Sequence, residues 1–411
     1  MTVLDVTAGP AADAQLSPPR RPQPLPRLVR SVAITLLVAQ AVFLLGSYLR
    51  GTWLVTPDGG GVDADFVNVW AAGKLALSGH PALAYDWPTH KLAEVAALGH
   101  PFDGYYGWHY PPTFLFVAAA LALLPYAAAY LFWTVATFLP YLVAIRAIIG
   151  DRVGYLLAAA FPAVVANAFV GQNGFLSAAL LGGALILIER RQALFAGALI
   201  GLLAYKPHLG VLIPIALVAG GEWRAIAAAA VVALLTAAAA WLTFGGESWL
   251  AFLSHLGQSS QAVFADGKAD WGKLQTAFGA VRTLGGSESL AWTAQALVAL
   301  LAAAAVAALW RSDAAFEIKA AALGTGALLA TPYLYMYDLA VLAVPLAFLV
   351  KLGLAQGFRD HELAAIGAVC ALILAFIVPF LKVPLGFLAV LIVAALIARR
   401  VLSPRAAFAR A

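Results

Sequence analysis

The sequence is poor in charge. Only 11% of its 411 residues are Asp, Glu, Lys or Arg, where a soluble globular domain carries about 25%. A water-facing surface cannot be built from so few charges. That excludes a soluble enzyme, a disordered chain and a nucleic-acid binder. Cysteine is nearly absent. Cys370, the single one, lies inside an apolar run, so an intramolecular disulfide and a cysteine-rich metal site are both excluded. The seven histidines form no H-x-x-x-H pair and no convincing acidic cluster accompanies one, so neither a metal nor another cofactor is expected. The glycine pairs Gly182-Gly183, Gly220-Gly221, Gly245-Gly246 and Gly285-Gly286 lack the strand-to-helix setting of a nucleotide loop. Nothing points to a Ser-His-Asp arrangement.

What the chain has instead is apolar length. Hydrophobic residues make up 63% of it, and the mean hydropathy is +0.89. A spanning helix takes about 20 apolar residues, so the length suggests around a dozen spans and an all-α polytopic membrane fold. The net charge of +5 is read as an orientation signal, since Lys and Arg collect in cytoplasmic loops.

Residues 1–30, rich in proline and arginine, are expected to form a disordered cytoplasmic tail, and 401–411 a second one. The apolar run Val32–Leu49 is too long for a signal-peptide core and reads as an uncleaved first helix. Residues 51–110 hold twelve charged or histidine side chains from Asp58 to His109, too polar to cross lipid. This stretch predicts a large extracytoplasmic loop with short helices. A second polar island covers 245–289, where Trp249 and Trp271 suit helices lying at the interface. Apolar segments fill roughly 111–149, 153–170, 173–188, 192–205, 208–220, 224–244, 290–310, 314–331, 338–350, 363–380 and 383–398. Residues 111–149, with Pro125 and Pro140, are too long for one span. One crossing plus a broken or re-entrant piece is expected there, which gives twelve spans in a single domain over 31–400.

Arg190–Arg191, Arg224, Arg311 with Lys319, Lys351 with Arg359, and Arg399–Arg400 are then all cytoplasmic. Threading the spans this way places both large loops on the opposite side. Three further motifs join them there: His109-Tyr110-Pro111-Pro112, Gly171-Gln172-Asn173 and Tyr205-Lys206-Pro207-His208. So does the run Thr331-Pro332-Tyr333-Leu334-Tyr335-Met336-Tyr337-Asp338.

Each motif has a plain structural reading beside a chemical one. Asp65 stands at the N-cap of a helix beginning at Phe66, where a carboxylate is favoured, and Asn68 would face the same way. Lys206 and His208 interrupt an apolar region at Pro207. A lone lysine at membrane depth either snorkels to the interface or serves an anionic phosphate. Gln172 and Asn173 either cap helices or bind sugar hydroxyls. Tyr333, Tyr335, Tyr337 and Asp338 form either an interfacial aromatic belt or a platform for carbohydrate or phosphate. The prolines after His109-Tyr110 sit at a helix start, where they cost nothing.

Taken in order, the Asp65-Phe66 pair, Gly79-His80-Pro81-Ala82-Leu83-Ala84-Tyr85-Asp86, Tyr110-Pro111-Pro112, Gly171-Gln172-Asn173 and the run Ala196–Pro207 ending in Tyr205-Lys206-Pro207 resemble glycosyltransferase family 87, also labelled domain of unknown function 2029. The likeness extends over roughly 31–400. It implies a GT-C-like membrane fold in a bacterial plasma membrane and an active site outside the cytoplasm. The donor it implies is a polyprenyl-phosphate sugar, as in the mannosyltransferases of the family, and the acceptor a lipid or glycan. Transfer inverts the anomeric centre and usually needs no catalytic metal. Asp65 resembles the family's first-loop base, with Asp63, two residues away, as the alternative acid. Lys206, His208, His109 and Tyr110 fit the donor phosphate. Asn68, Gln172, Asn173, Tyr333, Tyr337 and Asp338 fit the sugar or acceptor. Two other classes remain open on sequence alone: a transporter or flippase of a lipid-linked or small polar substrate, and a non-catalytic subunit of an envelope complex. Against the first, no hydropathy repeat of the transporter kind is visible.

Overall fold

The computed structural model describes residues 25–267, 270–377 and 383–402. Among them the regular structure is helical, with isolated bridges at Trp53, Val55 and Gly61 and no strand. The expected terminal tails fall mostly on 1–24 and 403–411, outside the described residues, as does Lys268. Their inner edges differ from expectation. Helix α1 (Arg27–Leu49) already includes Arg27 and Arg30, because Pro26 ends the proline run at φ −51° and opens the helix there.

In the first large loop lie α2 (Phe66–Leu77) and α3 (Trp87–Leu98), joined by a 3₁₀ turn over Pro81–Tyr85. A 3₁₀ turn over Pro112–Phe114 leads into α4 (Leu115–Leu121), too short to cross, and then α5 (Tyr126–Ile149) runs without interruption. Pro125 therefore makes the break, and Pro140 is carried inside the long helix. Next come α6 (Val153–Ala160) and α7 (Ala163–Val170), bent by 62° about Phe161-Pro162. They are followed by α8 (Gly174–Glu189), α9 (Ala193–Leu202), α10 (Pro207–Gly210) and α11 (Ile213–Ala219). The second half holds α12 (Trp223–Ser260), α13 (Ala277–Thr283), α14 (Glu288–Arg311) and α15 (Phe316–Ala330). It ends with α16 (Ala343–Gln356), α17 (Glu362–Ile377) and α18 (Leu385–Leu402).

Six helical stretches among the described residues are long and apolar enough to cross a bilayer, and the bent α6–α7 pair makes a seventh. The remaining apolar helices expected to span are shorter. The breaks responsible are polar motifs: Gly171 ends α7 in the left-handed region, Pro207 cuts α9 from α10, and Thr331-Pro332 ends α15. Such breaks are tolerated at membrane depth only when shielded by protein. Helices α8 and α16 are buried along most of their length, whereas α1 and α12 bury only 11% of their apolar windows and present leucine and valine outward, toward lipid.

The second polar island begins at a kink and is helical in its first part. Helix α12 turns at Gly245 (φ 76°, ψ 161°) and continues to Ser260, with a π-turn to Ala265. Glycine tolerates that backbone, so the helix is redirected rather than ended. Beyond the kink Ser248, Phe252 and His255 are buried, and their i, i+4, i+7 spacing makes them one face.

The two ends of the bundle differ in chemistry. At the C-terminus of α8, Glu189 pairs with Lys351 of α16, which also lies 3.2 Å from Glu317 at the start of α15. Arg400 of α18 holds Glu362 of α17 at 2.6 Å. At the opposite ends of α8, α15 and α18 stand Asn173, Thr331 and Gly386. Helix α8 is about 24 Å long at 1.5 Å per residue, so the basic residues and the polar motifs occupy opposite poles.

Candidate active site

Asp65 occupies the N-cap position of α2 but does not cap it. Its backbone is already in the right-handed helical region (φ −51°, ψ −26°) and its side chain makes no capping bond. The carboxylate points instead to Gln172, whose Nε2 donates to Asp65 Oδ2 at 3.4 Å. Burial pushes the Asp65 carboxyl up to about 6; the Gln172 bond and the charges of Lys273 and Lys206 pull the other way, and Asp338 adds to the rise. Asn68, one turn on, is buried and donates from Nδ2 to the Asp65 carbonyl at 2.6 Å, while its Oδ1 has no partner among the described residues. Asp63 is exposed on the outer side.

From Gln172 the hydrogen bonds continue inward. Tyr110 Oη donates to Gln172 Oε1 at 3.0 Å and accepts from Asn173 Nδ2 at 2.7 Å. Lys206 Nζ donates to Asn173 Oδ1 at 2.5 Å and pairs with the Asp338 carboxylate. Asp338 Oδ2 in turn accepts the Tyr335 backbone N–H at 3.1 Å, half of a capping box on the 3₁₀ turn Met336–Leu342. Six residues far apart in sequence thus form one chain, from a partly covered carboxylate to a buried ion pair. Neither Gln172 nor Asn173 caps a helix through its side chain.

Two local features hold this chain. Gly171, at φ +68°, lets the α7–α8 turn close against the ring of Tyr130 and Cβ of Phe66. A Cβ there would lie 2.5 Å and 2.6 Å from them. Phe66 and Tyr130 stack at 4.9 Å, so the helix carrying Asp65 and the turn carrying Gln172 share one packed contact. Tyr85 of the Pro81–Tyr85 turn donates to the Tyr110 carbonyl at 2.9 Å, which gives the Gly79–Asp86 motif a positioning task.

Lys206 is not the lone cation the sequence suggested. It is 3% exposed, so it does not snorkel, and Asp338 is its counter-ion. The partner was unforeseen because 132 residues separate the two. Its Nζ also lies 5.3 Å from the centroid of Tyr337. The tyrosine run is a wall rather than a belt. Tyr333 and Tyr335 meet edge to face at 5.0 Å, and Tyr335 stacks on Tyr337 at 5.7 Å.

His208 and His109 approach the same wall, 5.7 Å and 6.1 Å from Tyr333. His109 belongs to a further cluster that the sequence did not disclose. Its Nδ1 lies 2.8 Å from Ser259 Oγ, which is 2.8 Å from His255 Nε2, both on the redirected part of α12. Burial, aided by His255, drives His109 down to about 3, so its ring is neutral at physiological pH. Lys273 was also missed as a site residue. It is exposed in the second polar island, and its charge acts on Asp65 more strongly than that of Lys206. The kink at Gly245 was the available signal for His255 and Ser259; nothing in the sequence singled out Lys273.

Among the described residues no three His, Cys, Asp or Glu side chains come together as a metal set. The site can accept a proton at Asp65, aim amide and hydroxyl groups at a polar ligand, and hold a buried ion pair beside them.

No curated protein and no solved structure matches the chain. The model of glycosyltransferase family 87 matches residues 108–332, just over half of it. The matched stretch includes Tyr110, Gln172, Asn173 and Lys206, the middle of the hydrogen-bonded chain, and leaves Asp65 and Asp338 outside at its two ends. A transporter and a non-catalytic subunit give way to an enzyme on this ground: the chain belongs to glycosyltransferase family 87 and is a membrane glycosyltransferase.

Proposed function

We propose that the protein transfers a hexose such as mannose from a polyprenyl-phosphate donor to a hydroxyl of a lipid or glycan acceptor. Transfer takes place at the extracytoplasmic face of a bacterial plasma membrane, through about twelve crossings of a GT-C-like bundle. In the step, the acceptor oxygen attacks the anomeric carbon from the face opposite the phosphate. Its proton passes to the Asp65 carboxylate as the new C–O bond forms. The old C–O bond breaks with its electron pair leaving on the polyprenyl phosphate, and the anomeric centre inverts.

Support for the base comes from one observation: Asp65 stands at a helix N-terminus yet leaves the cap unmade and turns toward a polar chain. A carboxyl at about 6 is largely ionised at neutral pH and well matched to general-base work. Asp63 is the alternative acid, and its exposure argues against it. The departing phosphate gains negative charge and needs donors aimed at it. His208 and His109 would supply them, and we add Lys273, an exposed cation not tied into the buried pair; Lys206 and Tyr110, committed to the hydrogen-bonded chain, would act on the site from within it. Neutral His109 would serve there as an N–H donor. Asn68, Gln172, Asn173, Tyr333, Tyr337 and Asp338 would contact or orient sugar hydroxyls.

The purified protein supplied with radiolabelled polyprenyl-phosphate mannose and membrane lipid extract should form a labelled acceptor product. Asp65→Asn should not. Equal product from both proteins would remove the proposed base, and no product from the wild type with any polyprenyl-phosphate hexose would remove the proposed donor class.

A further inference from the structure

The second polar island holds a buried amide that the transfer step does not explain. Gln275 stands between the 3₁₀ turn Trp271–Lys273 and α13, with no exposed surface. Its side chain is used at both ends. Nε2 donates to the carbonyls of Gly272 at 3.2 Å and Lys273 at 3.1 Å. Oε1 accepts the backbone N–H of Gly386 at 2.8 Å, 111 residues away in sequence. The backbone N–H of Gln275 donates to the Leu334 carbonyl at 2.7 Å. The amide can sit only this way round, since two carbonyls need a donor and an N–H needs an acceptor.

One residue therefore joins three elements. The first turn of a helix leaves backbone N–H groups without intrahelical partners, and Gln275 satisfies one of them in α18. The approach is close: a Cβ on Gly386 would lie 2.8 Å from Gln275 Oε1 and 2.7 Å from Leu339 Cδ1, next in sequence to Asp338. Leu334 stands between Tyr333 and Tyr335, so its bond to Gln275 ties the second island to the tyrosine wall. Apolar packing follows the same line. Phe264, Leu274 and Phe278 form one buried cluster with Tyr333 and Tyr335 against it, and Phe264 meets Tyr333 edge to face at 6.2 Å. From the other side, Asp270 Oδ1 accepts the Gly272 N–H at 3.1 Å. Lys273 itself is exposed, so its ammonium is aimed by the turn beneath it. Of the charged groups that act on Asp65, namely Lys273, Asp338 and Lys206, it is the strongest.

We infer that Gln275 is a positioning residue, which fastens the turn carrying Lys273 to the tyrosine wall and to the start of α18 and so keeps that cation beside the Asp65 end of the site. Its part in transfer rests on the glycosyl-transfer reading above; the fastening itself does not. The test uses the full-length protein in detergent. Trypsin should cut wild type slowly after Lys273, because Leu274 is buried and cleavage needs the turn to open. Gln275→Met keeps the length but none of the side-chain bonds, and should be cut there about tenfold faster. Gln275→Asn, too short to reach both Gly386 and the turn, should move the same way and decides the matter if the Met variant does not fold. The pH profile of transfer is the readout that a merely structural role would leave alone. Lys273→Met should raise its midpoint, because a nearby cation favours the ionised carboxyl. Gln275→Met should raise it too, and the double variant should rise no further than Lys273→Met alone. Unchanged cleavage in a folded Gln275 variant, a midpoint left at the wild-type value in an active one, or additive shifts in the double variant would overturn the inference. If cleavage behaves as expected while wild type turns over no polyprenyl-phosphate sugar, the fastening stands and the transfer reading fails.

Discussion

Replacing Asp65 by Asn separates catalysis from architecture with one atom. Asn is about as good an N-cap as Asp, and in any case Asp65 makes no capping bond. The Gln172 amide can still donate to the Asn oxygen, so geometry is preserved. Chemistry is not, because an amide cannot take the acceptor proton, and loss of a general base costs about 10²–10⁴ in rate. Stability should move the other way. The carboxyl rises from an ordinary 3.8 to about 6 on folding, a difference of about 2 units or roughly 3 kcal/mol of penalty on the ionised form. The sign follows from where protons bind. Below about pH 4 the acid is protonated folded and unfolded, and no penalty exists. Between about pH 4 and 6 the unfolded chain ionises first and the penalty grows, reaching its full size above 6. Asp65→Asn should therefore melt higher than wild type at pH 8 and equally at pH 4 in the same detergent. Wild-type transfer should rise with pH through about 6 and then level. A variant that transfers sugar normally, or that melts lower at pH 8, would refute the reasoning; Asp63→Asn serves as the control and should be active.

Gly171→Ala should destabilise the protein by about 1–3 kcal/mol through overpacking and a left-handed backbone, since the added Cβ would sit 2.5 Å from the Tyr130 ring. Melting temperature and transfer rate should fall together, and an unchanged melt would show that the α7–α8 turn relaxes freely. In a Cys370→Ala background, single cysteines at Gly60 and Asp266 should react with an impermeant maleimide from outside the cell, and one at Arg191 only after permeabilisation. Labelling of the first two from opposite sides would break the proposed topology.

Much of this was legible in the sequence because the membrane imposes it. The charge deficit required spans, Pro125 required a break, and Lys351 and Arg400 lie at the pole opposite Asn173, Thr331 and Gly386. The helix at Phe66 follows from its apolar run, since Asp65 precedes it without capping it. What could not be read were long-range partners. The Lys206–Asp338 pair joins residues on either side of the three long helices α12, α14 and α15, and no local pattern announces it. The Gly245 kink was not readable either, because a glycine pair marks a possible break without giving its angle. Only the surrounding packing keeps the chain helical beyond it and brings His255 and Ser259 onto His109.

The chain from Lys206 to Asp65 also has a direction. An ammonium can only donate, so the Asn173 atom facing Lys206 must be its oxygen. The Asn173 amide nitrogen then faces Tyr110, whose hydroxyl, having accepted, must donate onward to Gln172 Oε1. That leaves the Gln172 nitrogen to face Asp65 as a donor, the interaction that holds its carboxyl down against burial. Lys206 is thus a positioning residue for a base it does not touch. Lys206→Met alone should unfold readily, because a buried Asp338 without its partner costs about 3–5 kcal/mol. Combining it with Asp338→Leu removes both charges and should restore much of the stability. In that double variant the Gln172 amide keeps only the Asn173 backbone N–H, 3.3 Å from its Oε1, as a donor that does not depend on the chain from Lys206. Whenever its oxygen faces Asp65 the carboxyl loses a donor and gains a repulsive acceptor, and the pH midpoint of transfer must rise. A midpoint that stays at the wild-type value in a folded, active double variant would mean that Gln172 is oriented by something other than the buried lysine.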